Sequence, residues 1–138
     1  MTSAIRKELW FPYDPETVFH ALADREALEA WMFPNDFEPK VGHRFTFRVP
    51  PKPGLEHGLL VRCEVLVCDP PHALEFSWVV DDFLDTRVRY RLERAGGGTR
   101  VHFEHEGFDR APARMGAEYG WGEMHGALER VLKRRSGR

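Results

Sequence analysis

From residue 43 onward, apolar and polar residues take turns along the chain in runs separated by turn-forming residues. Phe45, Phe47 and Val49 alternate with Arg44, Thr46 and Arg48. Val61, Cys63, Val65 and Val67 share one face of a long run over residues 58–68, and Asp69-Pro70-Pro71 ends it. Leu74, Phe76, Trp78 and Val80 alternate with Glu75 and Ser77 before Asp81-Asp82. Val88, Tyr90 and Leu92 alternate with Arg87, Arg89 and Arg91, and after the glycines Val101, Phe103 and His105 alternate with His102, Glu104 and Glu106. A period of two over such lengths predicts half-buried antiparallel strands. Ile5, Lys7, Leu9 and Phe11, alternating with Arg6, Glu8 and Trp10, add a strand over residues 5–11.

The last hairpin sets its own register. With residues 95–98 as a four-residue loop, Leu92 faces Val101, Tyr90 faces Phe103 and Val88 faces His105, while Arg89 meets Glu104 and Arg87 meets Glu106. Apolar pairs then share one face and opposite charges the other, and a one-residue slip would mix them.

Between the first strand and the rest, the period changes. Asp14-Pro15-Glu16 carries helix-start chemistry, with Val18, Phe19 and Leu22 as its apolar stripe. Asp24 restarts a second short helix bearing Leu28 and Trp31, which Pro34 stops. At the far end Met115, Tyr119, Met124, Leu128, Val131 and Leu132 belong to a closing helix, helical in spacing from Trp121 onward. Four glycines (Gly116, Gly120, Gly122, Gly126) disfavour helix by up to about 1 kcal/mol each, which places the regular start near Gly120. Two other readings of those glycines stand beside this one: close approach to the sheet, or room for a ligand beside the helix.

This order is strand, two short helices, five strands, long helix. With Trp31, Asp69-Pro70-Pro71 before Phe76-Ser77-Trp78, Gly97-Gly98-Thr99 and Gly120-Trp121, it resembles the SRPBCC superfamily of START and Bet v 1-like proteins. Within that superfamily it is most similar to bacterial proteins of the activator of Hsp90 ATPase homologue family, over residues 5–133. The resemblance implies an α+β helix-grip fold: a six-stranded curved antiparallel sheet, two short helices and a long C-terminal helix enclosing an apolar cavity. It implies little about activity, since relatives include lipid and steroid carriers, polyketide cyclases and binders of hydrophobic antibiotics. The co-chaperone role belongs to multidomain eukaryotic members and is not carried over to this chain, read as one domain over residues 1–138.

The alternation points Phe45, Phe47, Val61, Cys63, Phe76, Trp78, Tyr90, Phe103, His105, Tyr119 and Met124 inward, and Trp31 on the second short helix joins all but Val61 as a ligand-binding candidate. These side chains either line a ligand pocket or fill the interior outright. His105, the polar member, is either a pocket base tuned by burial or a satisfied core histidine. Leu55 and His57, in a proline-rich loop, are gate candidates or parts of a passive connector.

Composition narrows the partners. With 20 Lys+Arg against 22 Asp+Glu, a formal charge of −2 and a pI near 6.4, the chain lacks the basic face that nucleic-acid binding requires. His102 and His105 point to opposite faces and cannot share a metal ion, and no HExxH or CxxC spacing occurs. Ser77 has no nucleophile elbow around it, and the triple glycine joins two strands rather than cradling phosphate. Cys63 and Cys68, five residues apart on one strand, would sit about 16 Å apart and stay reduced. With no membrane-length apolar run or signal peptide, the expectation is a cytoplasmic protein. It needs no cofactor, binds a small apolar ligand, and is compatible with a homodimer that nothing in the sequence specifies. The competing readings are a polyketide cyclase or hydrolase working through His105, and a chaperone-related interaction module.

Overall fold

The alternating segments become one antiparallel sheet in the computed structural model, which describes residues 3–136. In chain order the elements are β1 (Ser3–Phe11), α1 (Pro15–Leu22), α2 (Arg25–Trp31), β2 (Arg44–Val49), β3 (Leu59–Asp69), β4 (Ala73–Val80), β5 (Leu84–Ala95), β6 (Gly98–Phe108) and α3 (Ala111–Ser136). The strand order is β1-β6-β5-β4-β3-β2, so β2 to β6 run as successive hairpins and β1 closes beside β6. An antiparallel sheet with two short helices between β1 and β2 and a long helix after β6 is an α+β arrangement with the helix-grip order of elements.

Local chemistry starts each short helix where the sequence places it. The Asp14 carboxylate accepts from the Thr17 N–H (2.8 Å) and the Asp24 carboxylate from the Ala27 N–H (3.0 Å). The Trp31 indole N–H donates to the Ala21 carbonyl at 2.9 Å, fastening α2 to α1.

The β5–β6 register pairs Leu92 with Val101, Tyr90 with Phe103, Val88 with His105, Arg89 with Glu104 and Arg87 with Glu106, as the alternation requires. The loop itself is shorter than four residues. Ala95 pairs with Gly98, leaving Gly96 and Gly97 as a two-residue turn at φ +58° and +78°, a left-handed pair suited to glycine. Trp10 lies against this turn and donates its indole N–H to the Ala95 carbonyl at 2.8 Å. On the outer face Arg89 bridges Glu75 (3.0 Å) and Glu104 (2.9 Å), so Glu75 joins the expected pairs.

Two further sequence expectations are corrected. Val67 does not share the inner face with Val61, Cys63 and Val65; a bulge between Val65 and Val67 turns it toward Glu75 and brings Cys68 opposite Leu74. The final helix does not start near Gly120 but at Ala111, with the Arg114 N–H bonded to the Arg110 carbonyl. Alanines at positions 111, 113 and 117 favour that helix, and the buried face formed by Trp121, His125, Leu128 and Leu132 anchors it, outweighing the glycines.

α3 packs chiefly against α2, α1, β1 and β6. That placement leaves its first half standing off the other side of the sheet.

Candidate functional site

Between the first half of α3 and the concave face lies a cleft of about 360 Å³. The sheet supplies Val49, Leu59, Val61, Trp78, Val80, Leu84 and His105, the helix Ala113, Gly116, Ala117, Gly120, Trp121 and Met124, with Phe33 and Phe83 also among the lining residues. Helical periodicity sets residues 113, 116, 117, 120 and 124 on one face, and all but the last are alanine or glycine. A Cβ built on Gly116 or Gly120 would meet no heavy atom within 4 Å, so these glycines face open space rather than a close neighbour. For Gly116 and Gly120, of the three readings, the geometry matches room beside the helix; Gly122 is exposed and Gly126 lies beside Arg130.

His105 lies in the floor of the cleft, fully buried. The Trp121 indole, which can only donate, gives its N–H to His105 Nδ1 at 2.9 Å. Thr86 donates its hydroxyl to the Trp78 carbonyl at 2.7 Å, so its oxygen accepts from His105 Nε2–H, also at 2.7 Å. The ring is therefore the neutral Nε2–H tautomer with both nitrogens occupied. Burial pulls its pKa down to about 3, consistent with that neutral form.

Deeper in the molecule a second histidine stands in an aromatic block. His125 hydrogen-bonds the Tyr90 hydroxyl through Nε2 at 2.9 Å and stacks on Trp121, with ring centroids 5.4 Å apart. Phe103 meets its ring edge-on at 4.7 Å and Trp31 lies 6.2 Å away. Burial, with a smaller contribution from the Lys7 charge, pulls its pKa down to about 4. Burial likewise pushes the Tyr90 hydroxyl well above its usual range. The His125 Nδ1 has no hydrogen-bond partner among the described residues.

The residues expected inward thus divide. Trp78, His105 and Met124 line the cleft, with Val61. Phe45, Phe47 and Phe76 pack on one another with centroids 5.4–6.3 Å apart, and Cys63 is a buried free thiol whose pKa burial drives up. Tyr90, Phe103 and Trp31 belong to the aromatic block around His125. Tyr119 is a correction: it is 74% exposed, because it precedes Trp121 by two residues and so points about 200° round the helix from the buried face. Leu55 and His57 do not line the cleft; Val49 and Leu59, the strand ends bounding their loop, do.

Sequence reasoning missed His125, Thr86 and Phe33. His125 follows Trp121 by four residues and precedes Leu128 and Leu132, an inner-face spacing that would have found it. Thr86 is two residues from Val88, the partner of His105, so it shares that face diagonally.

Among the described residues no group of His, Cys, Asp and Glu has the arrangement of a metal site. No described helix is long and apolar enough to cross a membrane.

The family model described as "Activator of Hsp90 ATPase homolog 1-like protein" matches residues 12–133. The crystal structure of protein MLL2253 from Mesorhizobium loti is similar at 30% identity and a TM-score of 0.87, over 96% of this chain and 98% of that one. Mll3558 from Rhizobium loti shares 24% identity with a TM-score of 0.80, over 95% and 97% of the two chains. CalU16 from Micromonospora echinospora shares 22% with a TM-score of 0.76, over 95% and 75%. No curated protein matches.

Proposed function

Since the chain belongs to the family of activator of Hsp90 ATPase homolog 1-like proteins, in the SRPBCC superfamily, we propose that it binds a small, largely apolar ligand in the cleft under α3. The observation that carries this reading is the cleft's glycine wall. Gly116 and Gly120 weaken the helix by about 1 kcal/mol each, yet no neighbouring atom requires them to be glycine. Their effect is to keep open a space of about 360 Å³, near the lower bound of the ~300–1,000 Å³ typical of small-molecule sites. Trp78 and Met124 would form the contact surface, with the fully buried Val61, His105 and Trp121 directly beneath it. Phe45, Phe47, Cys63, Phe76, Tyr90 and Phe103 support that surface from behind.

The catalytic alternative through His105 loses its proton acceptor. Nδ1 already accepts from Trp121, and Nε2 carries the proton given to Thr86. His105 holds the cleft floor in shape instead of working on an occupant.

The test is extraction of the natively purified protein followed by mass spectrometry, with a thermal-shift series of fatty acids, steroids and aromatic polyketides. A co-purifying apolar molecule, or a melting temperature that rises with ligand concentration, supports binding. An empty extract with no shift across the series contradicts it.

A further inference from the structure

The cleft wall also restricts what chemistry an occupant can bring. Its hydrogen-bonding side-chain groups are the His105 imidazole and the indole N–H groups of Trp78 and Trp121. The Trp121 N–H and both His105 nitrogens are spent on one another and on Thr86, whose hydroxyl is spent on the Trp78 carbonyl. The rest of the lining is alkyl, phenyl or glycine, apart from the Met124 thioether, a weak acceptor. Only the Trp78 N–H has no partner among the described residues, so a hydroxyl or carbonyl pushed against any other part of the wall would exchange water for nothing.

Resting on the ligand-binding reading above, we infer that the cleft takes the unsubstituted hydrocarbon segment of a lipid-like molecule, an acyl or alkyl chain. It disfavours ligands, such as hydroxylated steroids and polyketides, whose oxygen atoms would have to be buried there. The helix wall suits a chain: Gly116 and Gly120 lie one turn apart and present bare backbone along a trough. A volume of about 360 Å³ corresponds to roughly a dozen water-sized groups at ~30 Å³ each, which sets the probe length.

The experiment compares dodecanoate with 12-hydroxydodecanoate, which carries a hydroxyl at the end remote from the carboxylate, and with estradiol. Binding is followed by the change in tryptophan fluorescence and by calorimetry below the micelle concentration, on the wild type, Gly116→Leu and Gly120→Leu. At both positions an added Cβ meets no atom within 4 Å and leucine improves helix propensity, and circular dichroism checks their folding. The expected result is that dodecanoate binds, that the terminal hydroxyl weakens it on the order of tenfold or more, and that at least one folded leucine variant abolishes binding. Equal affinity for the two acids overturns the inference, as does dodecanoate binding that both folded variants leave unchanged. Estradiol binding that the variants abolish, without dodecanoate binding, overturns the chain preference but leaves the cleft as a ligand site. Failure of all three probes removes the ligand-binding reading and the inference with it.

Discussion

The two halves of α3 face the same concave sheet with opposite side-chain inventories. Over residues 121–132, Trp121, His125, Leu128 and Leu132 are buried where the helix packs against β1, β6, α1 and α2, and each is at most 6% exposed. Over residues 113–120 the same helix presents Ala113, Gly116, Ala117 and Gly120, and a cleft opens. One half is a core and the other a container. The backbone is continuous, so the boundary is set by where the helix stands off the sheet and by side-chain volume together, and Trp121 sits on it, packed on Trp78 at the inner end of the cleft.

The strongest way to break the contrast is at that boundary. Trp121→Ala would remove a buried indole, leave His105 Nδ1 unpaired and join the cleft to the core. A loss of about 3–5 kcal/mol is expected in chemical denaturation. Next comes pH. His105 and His125 are held near pKa 3 and 4 when folded, below the ~6.5 of an unfolded histidine. The unfolded chain therefore binds more protons below about pH 6.5. The stability these groups contribute is complete above that pH and lost progressively as pH falls toward 4 and 3. Urea midpoints measured from pH 7.5 to 4 should decline, and His125→Gln should make the decline shallower. A midpoint independent of pH over that range would contradict the neutral buried pair.

Smaller effects sharpen the comparison through glycine. Gly116→Ala and Gly120→Ala should each stabilise the protein by about 0.5–1 kcal/mol, since the methyl group meets nothing. Gly98→Ala should do the reverse by about 1–3 kcal/mol, because its Cβ would collide with the Phe11 carbonyl and the Trp10 ring. Thermal unfolding of the three variants separates a glycine that keeps space open from one that permits contact. Least of all, Tyr119→Ser should change stability by no more than about 0.5 kcal/mol, being on the solvent side of the helix.

Much of this molecule was legible before its structure. Strand pairing has a period of two, and in β5–β6 charges and apolar residues sort onto opposite faces in one register only, so individual residue pairs could be named. The caps at Asp14 and Asp24 follow from chemistry local to a few residues. The bulge at Val65/Val67 was hidden because one extra residue leaves an alternating apolar run looking intact. The start of α3 was misplaced because glycine propensity is local, whereas the burial that holds the helix is not. Within the site, alternation tells which side chains point inward but not how far α3 stands from the sheet. It therefore could not separate Trp78 and Met124, at the cleft, from Phe45 and Phe76, which pack on each other. The Tyr90–His125 bond joins residues 35 positions apart on different elements, beyond any local pattern.

The most direct test of the central claim, that one half of α3 is a container, is a two-dimensional NMR titration with dodecanoate. The account predicts that chemical-shift changes concentrate at Val61, Trp78, Gly116, Gly120 and Met124, with little change at Phe45, Phe76 or Tyr119. Changes confined to Tyr119 and the outer sheet face, or none at saturating ligand, would contradict it.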